Sequence, residues 1–280
     1  MTNHHELLKR IETTTAKIVV IGLGYVGLPV AGRFAQVGFH VTGLEIAAAK
    51  VETVNCGGCP IEGKEPQLPE LIAEVVSEGR LQATSDYAVC READVIIIAV
   101  ETPIDSVNQP RYTALRSALR AMEPHLFLRD DTQSLPDAAQ PSRTSPQLVI
   151  VESTVAPGTM HRLVCPTLEA RGRRRAGEDF FLVHCPERVM PGLLLANLTQ
   201  MSRVVGGHSP EAAELAQALY RHIVEADLDL ANSVTAELVK TAENAYRDVQ
   251  IAFANELALI CQHVGADVWQ VRDLVNKSPG

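Results

Sequence analysis

Residues 17–27, KIVVIGLGYVG, constrain this chain more than any other segment. Lys17 to Gly22 is a short β-branched run bounded by glycine, the pattern of a parallel strand buried on both faces. Gly22-Leu23-Gly24-Tyr25-Val26-Gly27 fits G-x-G-x-x-G and falls between that strand and a helix expected over 24–38. In that setting Gly22 permits a tight turn, Gly24 lets the backbone approach a pyrophosphate, and Gly27 allows close helix–strand packing. The helix N-terminus then faces the anion. Glu45 ends the next strand, about 20 residues on, where a carboxylate binds the adenosine ribose hydroxyls. A carboxylate there repels a 2′-phosphate, so NAD is expected rather than NADP. The cofactor set is therefore Gly22, Gly24, Tyr25, Val26, Gly27 and Glu45, against the plainer alternative of a glycine turn with no ligand.

Further short apolar runs predict strands at 39–45, 94–100, 147–152 and 179–184. Helical patterns predict helices at 47–55, 68–79, 112–126 and 158–171. Strands alternating with helices imply an α/β fold, a Rossmann-type doubly wound parallel sheet. Residues 129–146 are rich in Asp, Ser, Gln and Pro and read as a surface insertion. Arg171 to Arg175 (RGRRR) reads as a solvated turn. The last third changes character. Residues 210–222 form one helix, and 232–264, free of glycine and proline, form another about 50 Å long. Asn232 or Ser233 can cap it, Gly265 ends it, and 267–276 begins one more. The expected domains are 1–207, binding the cofactor, and 208–280, a helical central domain that is incomplete at its C-terminus.

Composition narrows the function classes. The 280 residues are 46% hydrophobic and 21% charged, enough to bury a core. A net charge of −9 argues against coating nucleic acid, which needs a basic face. No apolar run reaches membrane-span length, and Met1 to Thr15 has no signal-peptide core. Six cysteines in so long a chain are not a disulfide framework, so a reduced, cytoplasmic protein is expected. Cys56 and Cys59 form a C-x-x-C, read as a glycine loop because no second pair at metal spacing accompanies it. No metal is expected. His4 and His5 are given no role in a frayed terminus.

From here the residues resemble a known family. Gly22 to Pro29 (GLGYVGLP) is similar to the opening signature of the UDP-glucose/GDP-mannose dehydrogenases. Asn55-x-Gly57-x-x-Pro60-Ile61, Val100-x-Thr102-Pro103 and Glu152-Ser153-Thr154-Val155-x-Pro157-Gly158-Thr159 resemble its later loops. Cys185 to Gly192 (CPERVMPG) resembles its N-acetylhexosamine branch, because glucose-specific members usually carry a second glutamate where Pro191 stands. Glu237-Leu238-x-Lys240-x-x-Glu243-Asn244 resembles the start of its long central helix. The resemblance departs after Pro103, where Arg111-Tyr112-Thr113 replaces an Asp-Leu-Ser, and at the 129–146 insertion.

The resemblance implies NAD-dependent oxidation of a UDP-sugar C6 alcohol to a uronic acid, with UDP-N-acetylmannosamine the favoured substrate. It implies that Glu187 activates water or accepts a proton, given a pocket that raises its pKa. Lys240 stabilises the developing oxyanion and Asn244, four residues on, adds a donor. Thr154 positions water, Arg188 meets the substrate, and Thr102 and Glu152 join the cofactor set. A homodimer around the long helix is implied. The family's nucleophilic cysteine lies in a G-G-H-C loop beyond Gly280, and Cys165, Cys185 and Cys261 do not match it. The chain alone is therefore expected to bind NAD without completing the oxidation, the UDP-binding domain lying elsewhere or on another chain. Two alternatives stand beside this: a non-catalytic NAD-binding or dimerisation module, and a fragment of a UDP-glucose 6-dehydrogenase. A dehydrogenase of 6-phosphogluconate or 3-hydroxyacid type shares the architecture but not the CPERVMPG segment.

Overall fold

The computed structural model describes residues 3–126 and 145–278. In chain order the elements begin α1 (Asn3–Glu12), β1 (Lys17–Ile21), α2 (Gly27–Gln36), β2 (His40–Leu44), α3 (Ala48–Asn55) and α4 (Leu68–Ser77). They continue as β3 (Leu81–Thr84), β4 (Val95–Ile98), α5 (Thr113–Met122) and β5 (Gln147–Val151). A π-helical turn, Met160–Val164, runs into α6 (Cys165–Leu168). Then follow β6 (Phe180–His184), α7 (Leu194–Gln200), β7 (Arg203–Gly207), α8 (Pro210–Tyr220) and β8 (Leu228–Asn232). The last two are α9 (Ser233–Val264) and α10 (Val268–Val275).

The eight strands form one sheet in the order β3-β2-β1-β4-β5-β6-β7-β8. All neighbours are parallel except β6 and β7. The continuous apolar runs occupy the middle. β4, VIII, is buried at every residue between β1 and β5. Alternate residues of β1 enter different cores: Ile18 and Val20 pack with α1, α2, α4 and α8, and Val19 and Ile21 with α5 and α6. Covering both faces is what a parallel sheet of this kind requires. The chain winds outward from β1 through β2 to β3, then returns and winds the other way from β4. The C-terminal ends of β1 and β4 thus flank the point where strand order reverses, the usual ligand crevice of such sheets.

Several elements differ from expectation. The N-terminus is not frayed: α1 buries Leu7 and Ile11 completely, and the His4 ring meets Phe181 edge-on. Arg174 of the basic run is not solvated. It is 1% exposed and its Nη1 lies 2.5 Å from Glu123 Oε1, while Arg173 reaches the same oxygen at 2.8 Å. The sheet runs on past residue 207 to β8, which pairs with β7, so the expected edge at 207/208 falls inside a strand–helix–strand unit. By contact density the chain divides into Met1–Leu238 and Val239–Gly280. The expected 129–146 insertion lies outside the described residues up to 144. Among the described residues no helix is long and apolar enough to cross a membrane.

A buried ion pair fastens the turnover from parallel to antiparallel pairing. Arg203 at the start of β7 donates from Nη1 to Glu152 Oε1 at 2.8 Å, and Tyr220 Oη donates to the same oxygen at 2.5 Å. All three side chains are at most 2% exposed, and the guanidinium lies 4.8 Å from the Tyr220 ring centroid. Removing one partner strands the other charge without water. Arg203→Met is expected to lower unfolding free energy by about 3–5 kcal/mol in a urea titration. Pairing it with Glu152→Leu should recover most of that loss.

Candidate functional site

The glycine turn is built by close contact. Gly22 has φ +93°, and a Cβ there would lie 2.7 Å from Ala99 O. Gly27 opens α2, and a Cβ on it would lie 1.8 Å from Gly22 O. Only glycine at both positions lets the helix start directly over the strand end. A Cβ on Gly24, in contrast, meets nothing within 4 Å. That space lies at the start of α2, whose N-cap residue Val26 supplies no side-chain cap. Backbone donors and helix dipole are thus left to an anion entering beside Gly24.

Glu45, at the end of β2, is 9% exposed. Its Oε2 accepts from Leu23 N–H at 3.1 Å and its Oε1 from Ala47 N–H at 3.0 Å. The carboxylate is fixed beside the turn and keeps further lone pairs for ribose hydroxyls. An open cradle at Gly24, an uncapped helix and an anchored carboxylate fit a dinucleotide.

The neighbouring loops are stitched to one another. Thr102 Oγ1 donates to Thr154 O at 2.6 Å, and Ser153 Oγ to Val100 O at 2.7 Å. The Thr102 hydroxyl proton therefore joins the loops after β4 and β5. Glu152, expected at the cofactor, is 0% exposed, and its Oε1 accepts from Arg203 and Tyr220. The turn after Thr154 is held by Glu237 in the first turn of α9. Its carboxylate is fully buried and accepts from Gly158 N–H at 2.5 Å and Met160 N–H at 2.7 Å. A carboxylate at that helix start offsets otherwise unpaired donors.

β6 ends at His184, and the CPERVMPG segment leaves from the same sheet edge. Glu187 Oε2 accepts from Val189 N–H at 2.6 Å, and Asn197 Oδ1 from Met190 N–H at 2.9 Å. Arg188 Nη1 donates to Ser202 O at 2.7 Å and Ser202 Oγ at 2.8 Å. Glu65, which sequence reasoning did not single out, accepts from Gly192 N–H at 2.6 Å, from Leu194 N–H at 3.3 Å and from the Tyr25 hydroxyl. Burial pushes the Glu65 carboxyl up, but these hydrogen bonds outweigh it and it titrates below its ordinary value. The bond to Glu65 chiefly raises the Tyr25 phenol, so Tyr25 stays the donor.

Gly22, Gly24, Gly27, Glu45, Thr102 and Thr154 thus share the C-terminal edge of the sheet with the start of the Glu187 loop. Lys240 and Asn244 lie one turn apart on α9, in the second unit. Burial pushes the thiols of Cys90 and Cys165 up to about 12 and that of Cys185 to about 11, so none is a thiolate at neutral pH. Among the described residues no group of three His, Cys, Asp or Glu is placed to hold a metal.

A glycine turn at a strand-order reversal, with a carboxylate anchored at the next strand's end, defines a dinucleotide-binding domain of the Rossmann type. Residues 16–224 match the NAD binding domain of the UDP-glucose/GDP-mannose dehydrogenase family, and 234–280 match its central domain. This chain belongs to that family. It is 38% identical over 263 residues to the UDP-N-acetyl-D-mannosamine dehydrogenase of Pyrococcus horikoshii, covering 94% of this chain and 58% of that protein. The solved structure of UDP-D-ManNAc dehydrogenase from that organism superposes with TM-score 0.83 at 37% identity, over 94% of this chain and 58% of that one. A ternary complex of GDP-mannose dehydrogenase from Pseudomonas aeruginosa gives TM-score 0.83 at 27% identity, over 93% and 56%. The chain spans about three fifths of the length of the curated relatives it matches.

The two glycines separate fit from folding. Gly24→Ala should leave stability within about 0.5 kcal/mol in urea titration, yet weaken NAD binding at least about tenfold by calorimetry. Gly27→Ala should destabilise the fold by about 1–3 kcal/mol or more.

Proposed function

We propose that this chain serves an NAD-dependent oxidation at C6 of a UDP-N-acetylhexosamine, UDP-N-acetylmannosamine first among them, yielding the uronic acid. What carries the reading is the CPERVMPG loop, which leaves the sheet edge that bears the glycine turn and is tied at three points to Ser202, Asn197 and Glu65. Relatives named as dehydrogenases of N-acetylhexosamine nucleotides, including one for NDP-N-acetyl-D-galactosaminuronic acid in Ralstonia nicotianae at 36% identity, support the same class.

Gly22, Gly24, Tyr25, Val26 and Gly27 cradle the pyrophosphate, and Glu45 takes the adenosine ribose hydroxyls. NAD would supply the acceptor for hydride leaving the sugar carbon, and alcohol to acid takes two such transfers and one water, hence two NAD per sugar. Glu187 takes the alcohol proton or prepares water, its carboxylate held in place by Val189 N–H. Thr154 orients that water beside the loop that Thr102 fastens. Lys240 offers a fixed cation to developing negative charge on oxygen, and Asn244 adds a donor from the same helical face. Arg188 meets the substrate from a guanidinium already anchored on Ser202. The setting is the cytoplasm, in keeping with six free cysteines.

The chain further pairs with a second copy through the second unit. There Tyr246, Val249, Phe253, Leu259, Ile260 and Trp269 are all more than half exposed. A run of apolar side chains of that extent is covered in stable soluble proteins.

Titration calorimetry with NAD, NADP and UDP-N-acetylmannosamine tests the chemistry. NAD should bind at least about tenfold tighter than NADP, a difference of ~1.4 kcal/mol, and Glu45→Gln should narrow the gap. NADP binding tighter than NAD would refute the role of Glu45. NADH formed with UDP-glucose but never with UDP-N-acetylmannosamine would sink the substrate assignment. Sedimentation at micromolar concentration should give a dimer, and monomer alone contradicts the pairing.

A further inference from the structure

We propose that Glu65 is a positioning residue that couples the glycine turn to the loop carrying Glu187 and Arg188. The coupling runs through a single atom. Glu65 Oε1 accepts from the Tyr25 hydroxyl, inside the turn, and from Gly192 N–H at 2.6 Å, at the far end of the loop. Oε2 accepts from Leu194 N–H, the first residue of α7, at 3.3 Å. A shift of Tyr25 toward or away from Glu65 therefore acts on the same oxygen that holds Gly192.

The carboxylate is well suited to transmit such a shift. It is 7% exposed, so water has little access to replace its donors on the carboxylate. Its own backbone is firmly set. Gly63 and Gln67 on either side hold φ of +101° and +65°, and Glu65 O accepts from Leu68 N–H at 3.3 Å. Tyr25 is the freer end at 37% exposed, and its hydroxyl reaches across Gly63. A dinucleotide settling on the turn contacts the backbone at Gly24 and Tyr25. It thus bears on the most exposed member of the triad, and Glu65 carries the effect to Gly192. Coupling of this kind is reciprocal, so order in the loop also favours cofactor.

This role rests on the reading of 187–192 as the sugar-facing loop, but its signature does not need the sugar. The test is amide hydrogen exchange of the 280-residue chain, with and without saturating NAD, for the wild type, Tyr25→Phe and Glu65→Gln. NAD should slow exchange at 189–194 in the wild type. Tyr25→Phe keeps the Glu65 carboxylate on Gly192 and Leu194, so exchange without NAD should be unchanged there. Its NAD-dependent slowing should fall by about fivefold or more, the usual size of such couplings. Glu65→Gln should abolish the slowing, while amides of β4 and β5 match the wild type. Equal NAD-dependent slowing in Tyr25→Phe and wild type would make Glu65 a mere brace and overturn the coupling. NAD bound by the wild type with no slowing at 189–194 overturns it as well. Failure of the substrate reading looks different: NAD still slows 189–194, and UDP-N-acetylmannosamine adds nothing.

Discussion

The contact between the first residue of α2 and the carbonyl of Gly22 governs the rest of the structure. A Cβ at Gly27 would sit 1.8 Å from that oxygen. Because none is there, the helix starts over the end of β1, and its N-terminal donors point out of the sheet edge. Any larger residue would push α2 away from β1 and open the core that Val30, Ala31 and Phe34 fill. It would also move the anion-facing donors off the crevice between β1 and β4. One absent side chain thus serves packing and binding together.

Around that contact the fold uses buried carboxylates as connectors. Glu45 gathers two N–H groups beside the turn, Glu65 two more plus a phenol, and Glu237 two at the start of the π-helical turn. Glu152 instead meets a cation and a phenol. Each lies at 9% exposure or less. Leaving water is costly for a carboxylate, and the two or three hydrogen-bond or ion-pair partners each one gains offset that cost. The geometry explains where they occur. Loops at the C-terminal edge expose backbone donors that no strand can satisfy, and an acceptor reaching in from another segment fixes two loops at once.

Much of this was legible from the residues alone. Uninterrupted β-branched runs marked β1, β4, β5 and β6, and the glycine spacing located the turn. What stayed hidden has physical reasons. β7 reads RVVGG and looks like a loop. Its glycines are there because a Cβ on Gly206 would lie 2.6 Å from Ala236 Cβ, and one on Gly207 would lie 2.5 Å from Ser209 O. β8 is an edge strand with only its first residue buried, so it carries no apolar run. Arg174 and Glu152 mislead because charge suggests solvent or ligand, and their partners Glu123 and Arg203 lie 51 residues away in each case. Glu65 is of the same kind. Its partners lie 40 and 127 residues off, and no local spacing could announce them.

An acidic chain that receives an anionic cofactor faces an apparent conflict, since the net charge is −9. The edge resolves it without a basic patch. Glu45 and Glu65 are turned inward onto N–H groups, and the positive end of α2 lies beside the space at Gly24. Field strength at close range then favours the pyrophosphate, while distant surface charge is screened within about 8–10 Å. Glu45, also held by two N–H groups, keeps lone pairs to spare beside the turn, which is what its proposed role with the ribose hydroxyls needs. On the proposed reading, selectivity between NAD and NADP depends on that one anchored side chain rather than on overall charge. Reversing it would require moving the Leu23 and Ala47 donors along with the carboxylate, and not only replacing Glu45.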